Sequence, residues 1–156
     1  MKNFVKFGLF LLIAFLAIGC GAKEQKLLCT LESKDVANGY SLKSTYEVNG
    51  KGGVAEKTHS VEVVTSDNDA VLSYFEKTLN DTYKKYNDNY GGYNYKISKE
   101  SNKVTSDTTI DYEKLNLAAF VKDQPSLKKY TTKGNKLKLE GIKVMYETLG
   151  AKCELK

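Results

Sequence analysis

The chain has 156 residues, the size of one domain, and 41% of them are hydrophobic, so it can bury a core and is not disordered by composition. Its formal net charge is +5, and all 24 basic residues are lysine. Because specific nucleic-acid sites favour the bidentate guanidinium of arginine, this composition argues against a nucleic-acid-binding protein.

The chain begins with a predicted signal peptide, residues 1–19. The apolar run Phe7–Ile18 has twelve residues and follows two lysines. A helix of that length would measure about 18 Å, less than a hydrocarbon core of about 30 Å, so the run fits a signal peptide better than a membrane span. The junction Leu16–Cys20, LAIGC, resembles the bacterial lipobox, in which a cysteine after a small residue receives a diacylglyceryl lipid.

Lipidation of Cys20 would determine where the protein is located. We expect cleavage before Cys20, attachment of a lipid that contains acyl chains such as palmitate, and anchoring on the extracytoplasmic side of the bacterial cell membrane. Two or more acyl chains provide the stable attachment that one chain does not. An uncleaved anchor and a free buried cysteine are the alternatives. Residues 20–26 would then be a tether, and residues 27–156 a single domain.

The chain has three cysteines, and the odd number bears on how they pair. If Cys20 carries lipid, Cys29 and Cys153 remain as a pair outside the cytosol, where disulfides persist. Each of the two lies at an inward position of a strand-like alternation. We therefore expect a Cys29–Cys153 disulfide, and two buried free thiols are the alternative. Their wide separation excludes a compact CxxC redox or zinc motif.

Apolar and polar residues alternate in six segments of the domain, which predicts strands. The predicted strands are Leu27–Ser33, Tyr40–Val48, Val54–Thr65, Tyr93–Ile97, Val104–Tyr112 and Ala151–Leu155. Apolar residues at helical spacing predict helices over Asp69–Tyr86 and Leu137–Leu149. Residues 116–122 are a predicted helical turn, and residues 123–135 a predicted loop. This order favours an α+β fold, a mostly antiparallel sheet of five or six strands with two helices packed on one face.

Four features together resemble a known family, the small YehR-like bacterial lipoproteins. They are the Gly19–Cys20 junction, the hairpin around Tyr46–Gly53, TIDYEKLN at Thr109–Asn116 and LEGIKVMYETLGAK from Leu139. The resemblance spans nearly the full length of the chain. It implies a lipid-anchored α+β domain, and it implies no catalytic residue because the family has no known function.

The sequence contains no recognisable catalytic or metal-binding motif. His59 is the only histidine, and no GxSxG motif accompanies it. Residues 67–76, DNDAVLSYFE, begin like an EF-hand calcium loop but lack its glycine at position six. We therefore predict no catalytic residue, no metal site and no cofactor, and a protein that is not an enzyme.

Tyrosine is unusually frequent between residues 74 and 95. A surface centred on Tyr90, Tyr93 and Tyr95 could stack on sugar rings or meet a partner protein, since tyrosine combines apolar area with a polar tip. The alternative is that these rings continue the apolar stripes of a helix and a strand, and so belong to the core.

These observations predict a membrane-anchored extracytoplasmic lipoprotein that acts as a binding or accessory module. Its expected partners are the membrane, through the lipid on Cys20, and an envelope protein or polysaccharide, but no nucleic acid. Two alternatives are an envelope hydrolase that uses paired carboxylates and a structural subunit of a membrane complex. Two carboxylates that converge in a deep cleft would favour the hydrolase.

Overall fold

The computed structural model describes residues 22–156, whose centre is a six-stranded sheet in which neighbouring strands are antiparallel. The strands are β1 (Glu24–Asp35), β2 (Tyr40–Lys51), β3 (Val54–Ser66), β4 (Tyr93–Lys99), β5 (Lys103–Asp111) and β6 (Lys152–Leu155). Their order across the sheet is β4-β5-β3-β2-β1-β6. The predicted α+β class is confirmed.

The described chain also has three α-helices and one 3-10 helix. They are α1 (Asp69–Tyr90), α2 (Leu117–Asp123), the 3-10 helix (Pro125–Tyr130) and α3 (Leu139–Thr148). The sequence predicts α1, α3 and a turn at α2, but it predicts a loop where the 3-10 helix lies. Pro125 suits the first turn of this helix because a proline there loses no hydrogen bond. The buried side chain of Leu127 packs the 3-10 helix against the core.

Strand β1 begins three residues earlier than predicted. Residues 24–26 pair with residues 49–51 of β2, so the tether prediction is wrong for residues 24–26. The carbonyl of Lys23 also accepts a hydrogen bond from the Gly52 amide at 2.9 Å. These bonds join backbone groups, and the polar side chains of Glu24, Gln25 and Lys26 therefore give no sign of the pairing.

Helix α1 begins where the sequence predicts and ends four residues later. The Asn68 side chain caps its start by accepting a hydrogen bond from the Ala70 amide at 2.9 Å. At its end, the Tyr90 carbonyl accepts from the Asn116 amide at 2.7 Å, and the Tyr90 hydroxyl donates to Asp123 at 2.6 Å. Because these partners belong to the α2 region, the last turn of α1 depends on tertiary contacts.

The sheet has one covered face and one exposed face. The helices of residues 22–156 pack on the covered face, as predicted, and bury a core there. Its most buried apolar side chains include Leu27, Val48, Leu72 and Ile142. The exposed face presents polar side chains such as Lys57, His59 and Asp107. That face also carries half-buried apolar residues such as Val61 and Val63 of β3, whereas the exposed large apolar side chains of residues 22–156, such as Val36 and Tyr74, lie outside it.

Replacing Gly92 with alanine tests the turn between α1 and β4. Gly92 has a φ of +75°, and a Cβ there would lie 2.7 Å from the carbonyl oxygen of Asp111. We expect the free energy of unfolding, measured by urea denaturation, to fall by about 3 kcal/mol, because left-handed strain and a backbone clash act together.

Gly39→Ala is the matched control for this variant. Gly39 has a φ of +69°, but an added Cβ would meet no atom within 4 Å. It should lose only about 1 kcal/mol, the cost of the backbone conformation alone. Equal losses in the two variants would contradict the steric argument.

Candidate functional site

Strand β1 runs between two ends of the domain, which we call the proximal end and the tip. The proximal end contains Glu24, where β1 begins, and the β2–β3 turn at Gly52–Gly53. The tip contains the β1–β2 loop, residues 36–39, and the start of α1. Twelve residues of extended strand separate them by roughly 35–40 Å. The predicted lipidation site, Cys20, lies outside the described residues.

Cys29 and Cys153 form a disulfide that joins β1 to the edge strand β6. The two residues face each other in the antiparallel register, with Cα atoms 4.0 Å apart. Cys29 is fully buried, and Cys153 packs against the core. The predicted pair is therefore joined in the structure, across a sequence separation of 124 residues.

The predicted tyrosine surface lies mostly inside the domain. Tyr90 is only 7% exposed, and its ring packs edge-to-face on Phe120 of α2 with centroids 5.4 Å apart. Tyr93 and Tyr95 are half-buried on the covered face of the sheet, where Tyr95 stacks with Tyr83 of α1 at 5.7 Å. The prediction of an exposed binding surface is thus wrong for Tyr90, and helix α1 packs against the other two rings.

Glu62 lies on the covered face of β3, beside this aromatic cluster. Its two carboxylate oxygens accept hydrogen bonds from the Tyr46 hydroxyl at 3.0 Å and from the Tyr83 hydroxyl at 2.6 Å. Burial, and then the nearby charge of Glu62, raise the pKa of both hydroxyls above its ordinary value. Both tyrosines therefore remain donors at neutral pH, and the carboxylate links α1, β2 and β3.

His59 lies on the exposed face of the sheet, where its Nε2 is 3.0 Å from an oxygen of Asp107. Within residues 22–156, no group of three His, Cys, Asp or Glu side chains is arranged to hold a metal ion. In the same part of the chain, no helix has both the length and the apolar character needed to cross a membrane.

The tip presents an exposed apolar surface, which we call the tip patch. It comprises Tyr40, Val71, Tyr74 and Phe75, which line one open cavity, together with Val36 of the β1–β2 loop, which does not line that cavity. Val36 is 79% exposed and Tyr74 is 65% exposed. The Phe75 ring packs edge-to-face with Tyr40 at 4.9 Å and with Tyr74 at 5.6 Å. An open cavity of about 420 Å³ lies beside these rings and is lined by Asn38, Tyr40, Ala70, Val71, Tyr74 and Phe75.

Sequence reasoning missed the tip patch, although two signals indicate it. Tyr74 and Phe75 are adjacent in a helix, so their side chains point about 100° apart and the two rings cannot both face the core. Val36 is a large apolar residue in an otherwise turn-forming segment, DVANG. Proximity of the two features is a tertiary property, because Val36 and Tyr74 lie 38 positions apart in the sequence.

Comparison with known proteins gives a likeness in fold. No protein-family model and no curated protein sequence matches the chain. The NMR structure of the E. coli YehR protein has a TM-score of 0.50 at 16% identity, covering 85% of this chain and 91% of that one. An NMR structure of a protein from Streptococcus pneumoniae TIGR4 has a TM-score of 0.46 at 14% identity, covering 99% and 96%. The likeness to YehR shows that this chain has a YehR-like fold.

Proposed function

We propose that the mature protein is a lipid-anchored extracytoplasmic lipoprotein that binds an envelope protein through the tip patch. The observation that supports this proposal best is the position of the patch. Val36 and Tyr74 are among the most exposed large apolar residues of residues 22–156. They lie at the tip, whereas the proximal end is the one joined to Cys20. A lipid on Cys20 would leave the patch pointing away from the membrane.

The chemistry of the tip patch favours a protein partner over a polysaccharide. Sugar recognition needs several polar groups that pair with hydroxyls, in addition to a stacking ring. Among the cavity-lining residues, Asn38 has the only amide side chain, and its nitrogen already donates to Asp35 at 2.7 Å. The remaining lining side chains are apolar or aromatic, and their only polar groups are the hydroxyls of Tyr40 and Tyr74, which suits the apolar core of a protein interface.

The geometry supports the alternative hydrolase less well. Of five cavities along residues 22–156, none is lined by two carboxylates. Glu32, Glu113 and Glu140 each line a different one. A structural subunit would use the same tip patch in a permanent contact, so it differs from the proposal in the lifetime of the complex.

The anchoring is tested by metabolic labelling with palmitate. The wild-type protein should become labelled, and Cys20→Ala should not. The binding is tested in the same cells by replacing Tyr74 with a photo-reactive phenylalanine analogue. Illumination should give one specific crosslinked product, which Val36→Asp should abolish and Lys96→Glu, on the exposed face of the sheet, should retain. A product that survives Val36→Asp, or that Lys96→Glu abolishes equally, would refute the role of the patch.

A further inference from the structure

Positive charge is concentrated in one segment of the chain, residues 122–138, which we call the lysine segment. It contains six lysines and one aspartate, so its net charge is +5, equal to that of the whole chain. The rest of the full chain is therefore neutral overall, and without Lys2 and Lys6 of the predicted signal peptide it carries a net charge of −2. The six lysines are Lys122, Lys128, Lys129, Lys133, Lys136 and Lys138.

The lysines of this segment have no carboxylate partner among residues 22–156. Nine other lysines in that part of the chain form ion pairs with Asp or Glu. The acid within the segment, Asp123, instead accepts a hydrogen bond from Tyr90. Lys129 contacts the Tyr130 ring, with its Nζ 4.9 Å from the ring centroid. The charge of the segment is therefore available to an external anion.

The lysine segment lies at the proximal end of the domain. Its end is joined to the β2–β3 turn, since the Ala55 amide donates to the Leu137 carbonyl at 2.9 Å and Val54 pairs with Lys138. The same turn bonds to the carbonyl of Lys23. The C-terminal end of the lysine segment therefore lies close to the place where the domain meets its N-terminal attachment.

The distance from that place to a lipid on Cys20 is short. Ala22 is two residues after Cys20, and two residues of extended chain span at most about 7 Å. This is within the Debye length of about 8 Å at physiological ionic strength. The proximal end would thus stand in the electrostatic field of the membrane surface.

An open cavity adds an apolar element to the same region. It has a volume of about 590 Å³ and lies between α2, the 3-10 helix and the following loop. Ala118, Val121 and Pro125 contribute apolar lining, and Lys122 and Lys128 lie at the same cavity. This combination matches the boundary between the phosphate groups and the hydrocarbon of a bilayer.

We propose that the lysine segment binds the anionic phospholipid headgroups of the membrane in which the protein is anchored. The lysines contact phosphate oxygens, and the binding holds the domain upright, with the tip patch directed outward. Each lysine near an anionic surface contributes about a fivefold preference for it. The inference rests on the anchoring of Cys20 under the proposed function.

The test uses the lipidated protein, purified from membranes and inserted into vesicles. Because the natural chain has no tryptophan, Ser126→Trp reports on the lysine segment and Ala37→Trp on the tip. Vesicles contain brominated phosphatidylcholine as the quencher, either alone or with phosphatidylglycerol. We expect the fluorescence of the Ser126→Trp protein to be quenched at least about fivefold more strongly when phosphatidylglycerol is present. High salt should remove this increase. The fluorescence of the Ala37→Trp protein should be the same in both kinds of vesicle.

Charge variants of the Ser126→Trp protein provide the matched control. Replacing Lys122, Lys128, Lys133 and Lys136 with glutamine should abolish the dependence on phosphatidylglycerol. Replacing four other exposed lysines with glutamine should preserve the dependence on phosphatidylglycerol. These four are Lys34, Lys85, Lys96 and Lys152. Circular dichroism verifies that both variants are folded.

Three results would overturn the inference. The first is equal quenching in neutral and anionic vesicles, and the second is an equal loss of the phosphatidylglycerol dependence in the two lysine variants. The third is binding to soluble polyphosphate while phosphatidylglycerol has no effect on the quenching. Failure of the proposed function is seen separately, because palmitate labelling then does not depend on Cys20 or the tip crosslink is absent. A labelled, vesicle-bound protein with no lipid-dependent quenching refutes the lysine contact alone.

Discussion

Removal of the Cys29–Cys153 disulfide is expected to lower the free energy of unfolding by about 4–5 kcal/mol. The bond closes a loop across 124 residues, so it strongly restricts the unfolded chain. It also holds β6, which has only four residues and pairs with β1 alone at the edge of the sheet. Urea denaturation of the oxidised protein and of Cys29→Ser/Cys153→Ser measures the difference.

Reductant gives the control for this experiment. Dithiothreitol should destabilise the wild-type protein to the level of the double variant and leave the double variant unchanged. A loss below about 1 kcal/mol would show that the bond does not restrict the unfolded chain as the loop-entropy account requires. The cost of cavity formation stays small because serine is close to cysteine in volume.

Alkaline unfolding is the second large effect that we expect. Burial raises the pKa of Tyr112 to about 12, and a hydrogen bond to Asp123 followed by burial raises the pKa of Tyr90 to about 12. Burial also raises the pKa of Tyr93 and Tyr146 above the ordinary value. In the unfolded chain these hydroxyls lose protons near pH 10, whereas in the folded chain they retain them.

The sign of the effect follows from proton binding. A raised pKa in the folded state stabilises the fold fully below about pH 10, and this contribution is lost as the pH rises from 10 towards 12. Several tyrosines act together, so we expect cooperative unfolding in that interval. Circular dichroism and tyrosinate absorbance near 295 nm should change together.

Single variants test the assignment of this effect to buried tyrosines. Between pH 10 and 12 the Tyr112→Phe variant should release one proton fewer on unfolding than the wild-type protein. The slope of its unfolding free energy against pH should therefore be less steep by about 1.4 kcal/mol per pH unit. Tyr112→Phe also loses a 2.9 Å hydrogen bond to Thr58, so the slope is the readout and the absolute stability is not. Tyr74→Phe, at an exposed position, is the control and should leave the slope unchanged.

Local patterns in the sequence were sufficient for most of the fold. Alternation of apolar and polar residues predicted the strands, and apolar residues at helical spacing predicted α1 and α3, because burial of one face is a property of a short segment. The parity of the cysteines predicted the disulfide partners. The family resemblance also implied the fold that the comparison with YehR shows.

Interpretation of the tyrosines was less successful for a physical reason. An aromatic ring suits a core and an interface equally well, since both bury apolar area. A binding surface was one of two interpretations of Tyr90, and the structure favours the other, the core. Its hydroxyl reaches Asp123 and its ring reaches Phe120, both on a helix that lies 27 or more residues further along the chain. Only contacts between distant segments distinguish the two roles.

The sequence by itself determined the strands, the main helices, the paired cysteines and the expected lipid site at Cys20. Tertiary structure decided which apolar residues remain exposed, and where the lysine segment lies relative to the N-terminal attachment. The tip patch exists because the β1–β2 loop folds beside the start of α1, and the lysine segment gains its position from backbone bonds to the β2–β3 turn. Exposure and proximity depend on how elements pack against one another, and periodicity within one element does not encode them.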